Sequence, residues 1–461
     1  YIMASNPGVL YEWPWERMGS FKYLLLAPFV IAAATGNDDA DNWAWHMMVI
    51  TFLRYVVAQI FVSLSRIHAL TKHTRIQANG IQFKQIDRED HWDDFFILQL
   101  YVATLVHKLP YLGYGDFPLY NSKGLWQMLM FHVGPAEFLY YWLHRALHHH
   151  YLYSRYHSHH HASFVPEPIT GSVHPFAEHV MYTAVFAIPL LGPFFMGGAS
   201  ISMFYAYLIG FDILNCIGHC NFEFFPRWFM SIPGMKYLIY TPTFHSLHHS
   251  RVHTNFCLFM PIYDHMFGTV DKSSDVLYER SISGKAVPIS APDVVFMGHG
   301  TTLLSAFHAP FALRSFSSRP FEEKWWMRPL WPLCFVLAIV LRVFGRAYTH
   351  DKHRLRKLKL ETWVTPAFAI QFFFKGQWAW INSKIEDAIL EADRSGVKVV
   401  GLGALNKNEA LVSGERHFGA KRKDETLSLC YGFVFSFVDA VHCFSFVCCL
   451  LNLGVVIVGC C

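Results

Sequence analysis

HRALHHHYLYSRYHSHHH, residues 144–161, carries histidine at eight of its eighteen positions, directly behind the apolar run GLWQMLMFHVGPAEFLYYWL at 124–143. On a helix, residues i, i+3 and i+4 are neighbours. His144 and His148 form an HxxxH pair, and His157, His160 and His161 form HxxHH. Much later FHSLHH repeats the second pattern with His245, His248 and His249. Each set is expected to turn its rings to one side of its helix. Together they supply eight imidazoles, about the number that two metal ions with open positions require. A ninth, His219 in NCIGHCN, lies between the clusters, with Asn215 one turn earlier as a weak ligand or an orienting group.

Working outward, the surroundings read as membrane. Of the 461 residues 53 % are hydrophobic and 16 % charged, with 42 Phe, 22 Tyr and 14 Trp. That balance suits a bilayer better than water. The net charge of +4 includes no basic block of the kind that binds nucleic acid. Apolar stretches near the roughly 20 residues a crossing needs fall at 21–36, 46–65, 93–113, 124–143, 178–196 and 198–216, which pair into about three helical hairpins. Arg66, Lys72, Arg75, Lys84 and Arg88 lie in one connection between hairpins, and Arg145 and Arg155 in the next, while the tip GNDDADNW is acidic. The positive-inside rule then puts the N-terminus and the histidines on the cytoplasmic side. Because one hairpin separates His161 from His245, both clusters are expected at the same membrane face.

No cleaved secretory signal is visible at the start, and the ten cysteines show no disulfide pattern, as fits reduced thiols facing the cytosol. The expected fold class is mainly α: an integral membrane helical bundle with a cytosolic histidine-rich di-metal cap, followed by the truncated start of a soluble α/β domain. The regions read as 1–123, N-terminal membrane part; 124–275, di-metal domain with its hairpin; 276–350, cytosolic connector with an interfacial helix at 329–348; 351–426, start of the α/β domain; and 427–461, an apolar cysteine-rich tail. INSKIEDAILEADRSG predicts an amphipathic helix with Ile385, Ile389 and Ala392 on one side and Gly396 as its stop, and VKVVGLG a buried strand. GLGALN is a broken dinucleotide fingerprint, with Asn406 where its third glycine belongs. The tail holds a single charge, Asp439, and reads equally as an anchor or as an altered terminus.

Imidazole suits zinc, copper, iron and nickel. A structural zinc site closes with four ligands, often cysteines, whereas here the histidines are too many and no cysteines pair with them. Neutral nitrogens around two adjacent ions leave positions for dioxygen, which fits iron working on lipid-soluble substrates. His68, His73, His91, His107 and His442 read as ordinary surface or core residues, and His149, His150 and His159 point off the ligand faces. His174 and His179 read equally as outer ligands or as packing. Glu137, Asp212, Glu223 and Asp264 are candidate orienting carboxylates.

The order HxxxH, HxxHH, HxxHH after membrane hairpins resembles the fatty acid hydroxylase / sterol desaturase superfamily of membrane di-iron enzymes. GVLYEWPW, IQFKQIDRE, EFLYYWLHRALHHH, YSRYHSHHH, EPITGSVHPFAEH, GHCNFE, TPTFHSLHH, TNFCLFMPIYD and AILEADRSGVKV are more closely similar to the plant eceriferum/glossy wax family, in its very-long-chain aldehyde decarbonylase branch, over roughly residues 5–411. The resemblance implies two iron ions and conversion of a long aldehyde into an alkane one carbon shorter. It also implies the endoplasmic reticulum membrane, a homologous wax-synthesis subunit and cytochrome b5 as electron donor; a homo-oligomer is compatible with it. Family members continue after about Leu411 into a larger C-terminal domain, where this chain reads SGERHFGAKRKDETLSLCYGF. The same ligand pattern also serves hydroxylation or desaturation of a fatty acyl chain or sterol. A non-catalytic partner subunit would more naturally carry degenerate motifs, and here they are complete.

Overall fold

The computed structural model describes residues 6–36, 42–66, 71–82, 85, 88–108, 117–284, 291–299, 345–355, 357–367, 371–372, 374–402 and 428–431. The chain divides into two compact units. One comprises residues 1–65, 71–78 and 84–287, the other 66–70, 79–83 and 288–461.

The first unit is helical. Among the described residues three of its helices are long and apolar enough to cross a bilayer, in the stretches Trp43–Val62, Phe176–Phe195 and Ile201–Gly218. Twenty residues at 1.5 Å each span about 30 Å, the thickness of the hydrocarbon core. Phe21–Thr35 and Asp94–His107 are apolar but shorter. The stretch expected at 124–143 is helical from Ser122 to Leu147, interrupted by a π-helical turn at His132–Ala136 that contains Pro135. Proline has no N–H to give the helix ladder, and a wider turn absorbs the gap. Trp126, Met130, Phe138 and Trp142 along it are exposed.

Between these helices Tyr140, Tyr182, Phe186, Tyr207, Phe211 and Phe259 form a buried cluster. Among spans, such contacts gain from close packing rather than from leaving water. One buried ion pair ties two spans together: Arg54 Nε and Nη2 donate to Asp212 Oδ2 and Oδ1 at 2.6 and 2.9 Å. On the chain beyond His219, Thr241 and Pro242 start the short helix Pro242–Arg251. The Thr241 hydroxyl accepts from Phe244 N, and Pro242 sits in the first turn where no N–H is needed. Glu223 accepts from Thr243 N and Oγ1 at 3.2 and 2.8 Å, which fixes that helix start more firmly.

The second unit holds a six-stranded sheet: β1 (Ile81–Gln82), β2 (Val294–His299), β3 (Tyr348–Leu355), β4 (Leu358–Thr365), β5 (Val399–Leu402) and β6 (Ser428–Tyr431) in the order β1-β3-β4-β2-β5-β6. β3 and β4 pair antiparallel, and β4, β2, β5 and β6 run parallel. The amphipathic helix is Lys375–Arg394, and it buries Ile381, Ile385, Ala388, Ile389 and Ala392 against a core that includes Val295, Trp363 and Val400. Gly396 follows it at φ +79°, a conformation that stops a helix at little steric cost. β2 brings residues 294–299 into this sheet, upstream of 351. GLGALN beyond Leu402, the 329–344 part of the interfacial stretch, His68, His442 and the tail after Tyr431 lie outside the described residues.

Candidate metal centre

All nine histidines come together in the first unit, in two adjoining groups. His144, His148, His157, His161 and His248 form one; His160, His219, His245 and His249 form the other. Within each group the nearest ring nitrogens all lie within 4.8 Å of one another, and none of the nine residues is more than 7 % exposed. The groups touch: His161 and His249 have ring centroids 4.9 Å apart, and His245 and His248 5.4 Å.

The helical triads do not keep their rings on one side. Each sends rings to both groups, because positions i+3 and i+4 are about 100° apart around the axis. His161 therefore joins the first group while His160, its neighbour, joins the second, and His248 and His249 divide in the same way. His157 itself sits at the end of a π-helical turn, Tyr153–His157, ahead of the short helix Ser158–His161.

The proton positions follow from the partners. A backbone carbonyl can only accept, so His144 donates Nδ1–H to Phe256 O at 2.8 Å, His219 to Asn215 O at 2.8 Å and His248 to Thr254 O at 2.7 Å. His157 Nδ1 meets Glu178 Oε1 at 2.6 Å, and the ring donates its N–H when that carboxyl is ionised. Each of these rings is then left with a bare lone pair on Nε2. Yet His144 Nε2 and His157 Nε2 stand 3.0 Å apart, lone pair to lone pair when Glu178 is ionised. His161 Nε2 lies 3.2 Å from His157 Nε2, and His245 Nε2 2.9 Å from His219 Nε2. Imidazole binds first-row ions at about 2.0–2.1 Å, so two ligands of one ion stand about 3 Å apart. Both nitrogens of His148 and of His249, and Nε2 of His248, are buried without a hydrogen-bond partner. Unpaired buried nitrogens are costly, and a cation answers all of these features at once.

Burial holds every one of the nine imidazoles below its ordinary pKa, and the neighbouring rings push most of them further down. His144 and His219 fall to about 4, with hydrogen bonds from their own N–H groups acting weakly in the opposite sense. Neutral rings are the form that binds metal, so ligation at neutral pH displaces no protons from them.

Glu178 is the residue that motif spacing alone missed. Besides His157 it lies 3.7 Å from His174, which stacks on His160 at 4.3 Å. The signal was present in HPFAEH, where His174 and Glu178 are four residues apart. His179 proves to be packing: it stacks on Phe95 at 5.1 Å and donates to Ser172 O. His159 is buried against Tyr11, while His149 and His150 are exposed. The four carboxylates singled out by position work at one remove. Asp264 accepts from Phe256 N and Cys257 N, both at 2.8 Å, and so fixes the carbonyl that holds His144. Glu137 accepts from Phe259 N, Glu223 caps the 242–251 helix, and Asp212 holds Arg54. Asn215 serves through its carbonyl. Gly171 lets the 170–172 turn close on His219: a Cβ there would meet Asn215 Nδ2 at 2.6 Å and His219 Cε1 at 2.7 Å.

The fatty acid hydroxylase family model matches residues 129–269, the segment that contains all nine histidines. The chain is 44 % identical over 425 residues to the very-long-chain aldehyde decarbonylase GL1-5 of Oryza sativa subsp. indica, covering 90 % of this chain and 68 % of that protein. It is 43 % identical over 418 residues to the very-long-chain aldehyde decarbonylase CER1 of Arabidopsis thaliana, covering 89 % and 66 %, and 44 % identical over 434 residues to CER1-like 1 of the same plant, covering 90 % and 68 %. No solved structure matches it. By the length and identity of these matches, the chain belongs to the CER1/GL1 family of very-long-chain aldehyde decarbonylases.

Proposed function

We propose that this protein is a membrane enzyme that converts very-long-chain aldehydes into alkanes one carbon shorter, using two iron ions held by the nine histidines. The observation that carries the reading is the facing pair of Nε2 lone pairs on His144 and His157, inside a buried set of imidazoles, in a chain whose relatives bear that activity in their names.

His144, His148, His157, His161 and His248 would hold one ion, and His160, His219, His245 and His249 the other. Bound iron supplies one-electron chemistry toward dioxygen, which the side chains of this site lack. The chain's own residues do the remaining work. Phe256 O, Asn215 O, Thr254 O and Glu178 hold protons on Nδ1, so that Nε2 stays available. Burial keeps water from the centre, and the spans give a lipid-soluble substrate an apolar approach.

The setting we propose is the endoplasmic reticulum membrane, crossed by about three hairpins, with the histidines on the cytosolic side. The charged connections of the sequence support that orientation. A homologous wax-synthesis subunit and cytochrome b5 are the proposed partners. The test is expression of the chain, with and without such a subunit, in a host supplied with very-long-chain acyl-CoA, followed by gas chromatography of hydrocarbons. Odd-chain alkanes that vanish in His245→Ala support the reading. Alcohols without alkanes would replace it with hydroxylation.

A further inference from the structure

An apolar cavity lies among the helices Trp43–Arg66, Asp94–His107, Phe176–Phe195 and Ile201–Gly218, lined by residues that include Ile50, Leu100, Phe186, Ala187, Phe204 and Phe211. One end reaches toward the histidines through a single aromatic layer. Phe186 packs on Phe211 at 4.5 Å and on Tyr140 and Tyr182, each at 5.9 Å. Behind them Tyr140 is 5.1 Å from His144, and Tyr182 is 5.2 Å from His174. The other end is floored by Trp43, which meets His107 at 4.4 Å, Phe204 at 5.1 Å and Phe117 at 6.0 Å. Phe204 precedes His219 by fifteen residues, about 22 Å along a helix axis.

The lining carries one permanent charge, Arg54, and Asp212 neutralises it through two hydrogen bonds. No unpaired charge among the lining residues therefore waits for an ionic headgroup. A buried charge without a partner is expensive in such surroundings, so a carboxylate is a poor occupant and an uncharged amphiphile a good one. Besides Arg54 the polar lining residues are few, with His107 stacked on Trp43 at the floor and Thr183 on the helix that carries Tyr182, and a lining that is otherwise apolar along its length fits a single unbranched chain with one small head.

We propose that this cavity seats the alkyl tail of the substrate, with the uncharged head at the Tyr140–Tyr182 layer and the tail directed toward Trp43 and Phe204. For an aldehyde head the proposal rests on the function proposed above, but the cavity's preference for an uncharged long chain does not.

The experiment uses the purified full chain in lipid nanodiscs with deuterated octadecanol, an uncharged long-chain probe, and deuterated octadecanoate as its charged counterpart. Bound probe is read by mass spectrometry and iron by elemental analysis. The wild-type chain should retain octadecanol and not octadecanoate. Ala187→Phe and Ala103→Phe fill the cavity from two different helices. Both should lose at least about tenfold of the bound alcohol at unchanged iron content, and His245→Ala should keep the alcohol. Equal retention of the alcohol by both filled variants and wild type would overturn the proposal, as would preferential retention of octadecanoate. Retention that filling abolishes, in a chain that makes no alkane, would leave the pocket standing and remove the aldehyde reading alone.

Discussion

Glu178 and His157 lie 2.6 Å apart, carboxylate oxygen to Nδ1, at the first turn of a membrane span and with neither residue exposed. This contact fixes which nitrogen of His157 is available to a metal. Partners of this kind typically govern metal affinity by 10–100-fold. Glu178→Gln keeps the shape but removes the charge, and its amide is free to offer the wrong hydrogen-bonding edge. The expected outcome is a loss of metal affinity in that range, measured by elemental analysis after dialysis against a graded chelator.

The nine buried rings differ from the exposed histidines next to them in sequence. His148→Ala and His245→Ala, one in each group, should each abolish alkane formation and lower bound iron. His149→Ala removes an exposed ring next in sequence to His148 and should change neither quantity. Paired measurements of iron and hydrocarbon on the three variants check this.

Acid should undo the centre. His144 and His219 are held at about 4 against 6.5 for a free ring. Below pH 6.5 the unfolded chain therefore takes up protons that the folded chain refuses, and stability falls as pH drops from about 6.5 to about 4. The slope is up to about 1.4 kcal/mol per pH unit for each such ring. Glu89 and Glu223, both pushed up to about 7 by burial, act oppositely between 7 and 4.5, because the folded chain protonates first. The nine depressed rings outnumber them. Thermal denaturation of the metal-free chain across pH 4–8 should show the midpoint falling on the acid side.

The Arg54–Asp212 pair should be costly to break and less costly to remove. Asp212→Asn leaves a guanidinium buried without its counter-charge, a loss of about 3–5 kcal/mol. Arg54→Met with Asp212→Leu should recover much of that. Denaturation midpoints of the single and double variants decide it.

Gly171→Ala places a methyl group where Asn215 and His219 already stand. His219 has to move, so this variant should hold less metal overall, with the second group weakened more than the first. Chelator resistance of the two proposed irons, followed separately by Mössbauer spectroscopy, measures it.

Much of this site is legible in the sequence. Helical spacing singles out the eight histidines of the three motifs, and His219 follows from its place at the end of a span. The division between groups was not legible, since HxxHH suggests one face whereas His160 and His161 lie about 100° apart on their helix. Glu178 escaped because its role depends on a contact with His157 across twenty-one positions. The helix expected over INSKIEDAILEADRSG and the strand over VKVVGLG are present, since Ile385, Ile389, Gly396 and VKVV carry a decisive local pattern, but the helix begins six residues earlier, at Lys375. The interruption at His132–Ala136 was signalled by Pro135, but hydropathy alone sees only a continuous apolar run.

Each HxxHH helix contributes to both imidazole groups, so neither ion has a scaffold of its own. Seating the first would fix the register of both short helices and set the second half-site in place in advance. Uptake of the second ion should then be easier than uptake of the first. Protein isolated under iron scarcity should consist mainly of fully loaded and empty molecules, with few carrying a single ion.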